Sequence, residues 1–308
     1  MVVDLGLVIA GLALLVVGGD LLVKGAVNLA LRLGITPLVV GLTVVAFGTS
    51  APELMVSLSA ALGGSTDIAL GNVVGSNIAN VLVILGASAI VSTIRTDQVD
   101  LLESWIKMIG ASVLLIMMAL TGVIGRVAGV VLLVALGLVL WRQLSTARAD
   151  RPGYVEGAQL GANWRRILIW LAAGLVTLPI GAHLLVMGAT DIARSMGLSE
   201  AVIGLTLVAV GTSLPEMAAS IAAARKGQAA VALGNVVGSN LFNILAILGV
   251  TAIIAPLPIA PQIVTFDLWV MLAASLMLGV FLFFRLPLGK AAGAGFLALY
   301  AAYVWVLL

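Results

Sequence analysis

The chain has 308 residues, of which 62% are hydrophobic and only 9% charged, and its mean hydropathy is +1.26. Apolar stretches of roughly 20 residues recur along it, which excludes a soluble core of this size and fits a polytopic all-α membrane protein whose spans satisfy their own backbone hydrogen bonds in lipid. The net charge of +2 is accounted for by loop lysines and arginines and implies no nucleic-acid partner; the absence of cysteine leaves the redox compartment unread.

Ten spans are predicted in chain order. The first covers about residues 2–24; it is too long for a secretory h-region and is preceded by Asp4, not by lysines, so it reads as a retained span. The second (about 37–63) contains "GTSAPEL" at 48–54, and the third (67–93) contains "GNVVGSNIAN" at 71–80. The fourth and fifth cover 104–123 and 125–142. The stretch 143–164, with "RADRPGYVEG", reads as a solvated linker. The remaining spans are 165–190, 199–224, 228–255, 265–284 and 288–307; the seventh holds "GTSLPEM" at 211–217 and the eighth "GNVVGSNLFN" at 234–243.

If these spans alternate, one side collects thirteen basic residues (from Lys24 and Arg32 to Arg285 and Lys290) and the other only Arg126 and Arg194. The positive-inside rule then makes the rich side, with the linker, cytoplasmic and puts both termini outside.

A shift of 163 residues lays 41–59 on 204–222 and 69–86 on 232–249 without a gap, so the chain is a duplication. Residues 1–142 and 165–308 each carry five predicted spans, an odd number, and the second copy therefore enters the membrane from the opposite face. Such inverted repeats place a shared site near the midplane, here where the second and seventh spans meet.

Glu53 lies about 16 residues into its span, about 24 Å along the helix and close to the bilayer centre. An ionised side chain there costs roughly 2.5–3.5 kcal/mol, so it must face a polar interior. Pro52 removes the N–H that would bond the Gly48 carbonyl, which loosens the helix over about 46–52 and frees backbone oxygens. Thr49 and Ser50 precede Glu53 by four and three residues, gathering oxygens on one face; Ala209, Thr212, Ser213, Pro215 and Glu216 repeat the arrangement. Asn72, Ser76 and Asn80 form a polar stripe at spacings of four, reproduced by Asn235, Ser239 and Asn243. An all-oxygen pocket of this kind suits a hard cation of the Ca2+ type, with no resident cofactor.

Asn72, Asn77, Asn235 and Asn240 read more readily as interhelical hydrogen-bonding groups, and Asp20 and His183, matched in place but not in type, as peripheral. Asp67, Asp191, Glu200 and Asp267 read as solvated helix ends, and Trp105, Trp141, Trp164, Tyr303 and Trp305 as interface markers.

The paired blocks "GTSAPE" with "GNVVGSNIAN" and "GTSLPE" with "GNVVGSNLFN" resemble the two α-repeats of the calcium/cation antiporter superfamily, in its prokaryotic sodium/calcium exchanger branch. The resemblance implies ten helices in two inverted repeats, a transporter and not an enzyme, and Ca2+ and Na+ as cargo. It implies Glu53 and Glu216 as shared ligands, with Thr49, Ser50, Thr212, Ser213, Ser76, Ser239 and the carbonyls of Ala46 and Ala209 at flanking sodium sites. Asn80 and Asn243 would sit at the centre, where family members often carry one aspartate; asparagine at both leaves two acidic groups and leaves the coupling ion open. A proton-coupled exchanger of Ca2+ or another divalent cation is therefore the alternative. An intramembrane serine protease built on Ser50 or Ser213 fits poorly, since the chain has a single histidine and carries the motif twice.

Overall fold

The computed structural model describes residues 2–147, 162–196 and 211–307. Its helices are α1 (Val2–Leu33), α2 (Pro37–Thr49), α3 (Ala51–Leu62), α4 (Thr66–Val91), α5 (Leu102–Ala119), α6 (Arg126–Ala147), α7 (Trp164–Ser195), α8 (Leu214–Arg225), α9 (Ala229–Ile254), α10 (Ile263–Phe283) and α11 (Lys290–Leu307). Among the described residues eight of these are long and apolar enough to cross a membrane, and α2 with α3 forms a bent pair that would make a ninth. The predicted seventh span is described only from residue 211, where α8 supplies its second half; Ala209 and most of the 143–164 linker lie outside the described residues.

The first span runs nine residues beyond its predicted end, because a lysine does not stop a helix. Lys24 lies over the Trp170 ring at 4.3 Å and Arg32 over Trp164 at 5.8 Å, so both cations are held against α7 while the helix continues to Gly34, whose φ of +67° ends it. At 32 residues α1 is about 48 Å long, more than the roughly 30 Å hydrocarbon core. It packs antiparallel to α7, also 32 residues: Gly11 lies against Gly181 and Leu185, and Gly25 against Leu171. A Cβ at Gly11 would sit 2.7 Å from the Gly181 carbonyl oxygen, so the two backbones touch. Gly11, Gly18 and Gly25 recur as Gly174, Gly181 and Gly188, so the seam is duplicated with the rest of the chain.

The centre of the molecule is α4 with α9. Leu70, Val73, Ile78 and Leu85 of α4 and Leu233, Val236, Ile244 and Leu248 of α9 are buried, with α5, α6, α10 and α11 packed around them. Short pairings tie the connections: β1 (Val123–Ile124) runs antiparallel to β2 (Leu257–Pro258), and Ile94 bridges Leu288. Each of these joins a residue of one copy to a residue of the other. Some helix ends read as solvated are not: Asp267 is buried and accepts a 2.9 Å hydrogen bond from the Tyr303 hydroxyl, while Trp105 donates its indole N–H to the Ser275 carbonyl at 2.7 Å. Both are packing contacts between flanking helices that spacing along one segment does not reveal.

Candidate functional site

The site grows from two helix breaks. Ser50 has φ −81° and ψ 7°, outside helical geometry, and α3 starts just after it with Pro52 in its first turn, bent 44° from α2. Ser213 has φ −88° and ψ 5° ahead of α8, with Pro215 in the same place. The expected loosening over 46–52 is thus localised at Ser50, and α2 adds a π-helical turn at Gly41–Val45 that no sequence signal marked. Asn80 and Asn243 each open a further π-helical segment, at Asn80–Leu85 and Asn243–Ile247. Such turns interrupt the regular ladder and recur at functional positions.

The break redirects the hydroxyls. Ser50 was expected to share a face with its own Glu53; instead its Oγ donates across the molecule to Glu216 Oε1 at 2.9 Å, while Ser213 Oγ lies 3.1 Å from Glu53 Oε1. Each copy therefore bonds the carboxylate of the other. Glu53 and Glu216 are 1% and 0% exposed and have no cationic partner among the described residues. Ser76 Oγ is 3.4 Å from Ser213 Oγ. Thr49 Oγ1 lies 3.1 Å from the Val45 carbonyl, 3.3 Å from that of Ala46 and 3.2 Å from Asn235 Oδ1. The Ala46 carbonyl also accepts from the Ser50 N–H at 3.0 Å, so it is shared and not freed by the break. Thr212 is half-buried, and Ser239 is buried in α9.

Asn72 and Asn235 are spent on structure. Asn72 Nδ2 reaches the Glu53 carbonyl and Ser57 Oγ, and Asn235 Nδ2 reaches the Glu216 carbonyl and Ser220 Oγ, all within 3.3 Å. Each asparagine thereby fixes the backbone that carries a glutamate. Asn77 and Asn240 bond each other's backbone carbonyls between α4 and α9 and accept from Asn243 and Asn80.

After this accounting, five buried acceptor atoms of the site have no hydrogen-bond partner: Glu53 Oε2, Glu216 Oε2, Asn80 Oδ1, Asn243 Oδ1 and Ser239 Oγ. Unsatisfied buried oxygens are costly in an apolar interior. Four of them can only accept and the fifth, the Ser239 hydroxyl, also has lone pairs to offer, the chemistry of a hard-cation site. Among the described residues no three His, Cys, Asp or Glu side chains cluster, so the negative charge here comes from two carboxylates and the other oxygens are neutral.

A helical membrane protein whose buried oxygens come in matched halves is a cation transporter in outline. The sodium/calcium exchanger protein family profile matches residues 3–145 and 166–308, and the chain belongs to that family, in its prokaryotic branch; it is a cation antiporter. The putative antiporter CaxA of Alkalimonas amylolytica is 42% identical over 92% of this chain and 90% of its own length. The inner membrane protein YrbG of Escherichia coli (strain K12) is 37% identical over 99% of this chain and 98% of its own. A structure of the sodium-calcium exchanger NCX_Mj soaked with 10 mM Na+ and 10 mM Sr2+ aligns at a TM-score of 0.85 and 33% identity, covering 98% of each chain.

Proposed function

We propose that the chain exchanges Ca2+ for Na+ by alternating access at one midplane site held by Glu53 and Glu216. The observation that carries this reading is the set of five unpartnered buried oxygens, two of them on the cross-bonded carboxylates themselves. With Thr49, Ser50, Thr212, Ser213, Ser76 and the carbonyls of Ala46 and Ala209 they give enough oxygens for the six to eight a Ca2+ ion takes, and for flanking sodium sites. Two carboxylates neutralise one Ca2+ or two Na+, so the cargoes compete. An empty pocket leaves two charges unbalanced in a dry interior; only loaded states then change their facing, and exchange is obligatory.

The architecture proposed is ten transmembrane helices in two inverted five-helix repeats, 1–142 and 165–308, joined by a cytoplasmic linker at 143–164. The antiparallel packing of α1 on α7, which the 163-residue shift relates, supports the inversion. The charge asymmetry of the loops and the inner-membrane relative support a multi-pass inner-membrane location with both termini on the non-cytoplasmic side. The test is 45Ca2+ uptake into proteoliposomes loaded in turn with Na+, K+ or protons. Uptake with internal Na+ alone is expected; uptake driven only by a pH gradient would replace sodium coupling with proton coupling.

A further inference from the structure

A neutral amide can face a cation with its oxygen or with its NH2 group, and only the first binds. At positions 80 and 243 that choice is made by two other residues. Asn80 Nδ2 donates to Asn240 Oδ1 at 2.9 Å, and Asn243 Nδ2 donates to Asn77 Oδ1 at 3.0 Å. The orientation of Asn240 is fixed in turn, because its Nδ2 donates at 3.3 Å to the backbone carbonyl of Asn77, which can only accept; Asn77 Nδ2 faces the Asn240 carbonyl at 3.4 Å. Turning the Asn80 amide over would set its oxygen against Asn240 Oδ1, two acceptors in contact, and turning Asn240 to relieve this would set its oxygen against a carbonyl. The two backbone carbonyls are thus fixed references, and the amides copy their polarity outward by one residue each. What remains is an unpartnered oxygen on Asn80 and on Asn243.

We propose that Asn77 and Asn240 are positioning residues that lock the Asn80 and Asn243 amides with their oxygens toward the transported cation, making these positions carbonyl-type ligands in a pocket that has only two charges. The inference rests on the site reading above and adds to it a pair with no ion contact of its own. It also explains why a duplicated chain keeps the second asparagine of "GNVVGSN" in both copies: each half orients the ligand of the other.

A double-mutant cycle on the full chain in proteoliposomes tests it, reading half-saturating Ca2+ for Na+-driven 45Ca2+ uptake. Asn240→Leu removes the acceptor and is expected to raise half-saturating Ca2+ about tenfold or more, the usual cost of losing an outer partner of a ligand. In an Asn80→Ala background the same change should add little, because no amide remains to be oriented. Losses that add in the double variant overturn the inference while leaving the site reading in place; parental affinity in Asn80→Ala overturns both. If Asn240→Leu fails to fold, the mirror arm is Asn77→Ala read alone and in an Asn243→Ala background, since Asn77 Oδ1 accepts from Asn243 Nδ2. A loss of Ca2+ affinity that the Asn243→Ala background absorbs is expected. A loss that adds to that of Asn243→Ala would overturn the proposal.

Discussion

Glu53 and Glu216 are each buried, each bonded through one carboxylate oxygen by a serine of the other half, and each left with the second oxygen unspent. Glu53→Gln or Glu216→Gln keeps the volume, and the amide oxygen can still accept the serine proton, but one of two balancing charges is lost. Both variants should fold, as read by size-exclusion profile, and both should lose Ca2+ exchange to background; near-parental flux in either would refute a shared site. At Asn243 an aspartate would add a third carboxyl and remove the amide donor to Asn77. Three like charges in one dry pocket cannot all be present without a cation. A proton then competes with Ca2+, and Asn243→Asp should lose uptake more steeply than the parent as pH falls, with Asn80→Asp behaving alike; superimposable pH profiles would remove both asparagines from the pocket. The residue types of the site were legible because the duplication displays them twice. Their partners were not. Spacing on one helix put Ser50 beside Glu53, and only the backbone turn at Ser50, a tertiary fact, sends its hydroxyl to Glu216.

Among the elements, the break between α2 and α3 is the one the sequence announced, since a proline inside an apolar span has a known mechanical effect. Pro52→Ala restores an N–H for the Gly48 carbonyl and a continuous helix. Thermal stability should be unchanged or raised, and Ca2+ exchange should fall because Ser50 is drawn back from Glu216; an active Pro52→Ala exchanger would show that the bend is dispensable. The α1–α7 seam behaves oppositely. A Cβ at Gly181 would lie 2.9 Å from the Gly11 carbonyl oxygen and 3.0 Å from Leu14 Cβ and Leu15 N, so Gly181→Val should destabilise the fold by about 1–3 kcal/mol, measured by thermal unfolding in detergent. The seven-residue glycine period that makes the seam was present in the sequence; what hid its meaning is that a glycine ladder does not name its partner. Helix ends were missed for a similar reason: Lys24 and Arg32 read as the edge of the membrane, whereas the tryptophans of α7 hold them along a longer helix.

At the scale of the whole molecule, α1 and α7 form one packed pair and the carboxylate-bearing helices another body, touching where Gly19 of α1 meets Ala218 and Ala222 of α8. Alternating access by sliding of the pair requires that contact to break and re-form. At the end of this contact Lys226 Nζ lies 3.2 Å from Asp20 Oδ1, and the chain has no cysteine to interfere. An Asp20→Cys/Lys226→Cys variant joined by a short, cleavable bis-thiol cross-linker should lose exchange and regain it on cleavage; full transport with the cross-link in place would exclude sliding at this contact. The duplication and the membrane class were readable without a structure, because both are periodicities of the chain itself. The crosswise wiring was not, because its bonds join residues some 160–166 positions apart. That wiring has a consequence for synthesis. When the first half emerges from the ribosome and enters the bilayer, Glu53 has no Ser213, Asn80 has no Asn240, and Ile94 has no Leu288 to bridge. Its polar groups lack their partners in lipid or in the insertion machinery until α8 and α9 arrive, so the candidate ion site cannot form before α9 is in place, and a chain cut short before it never has one.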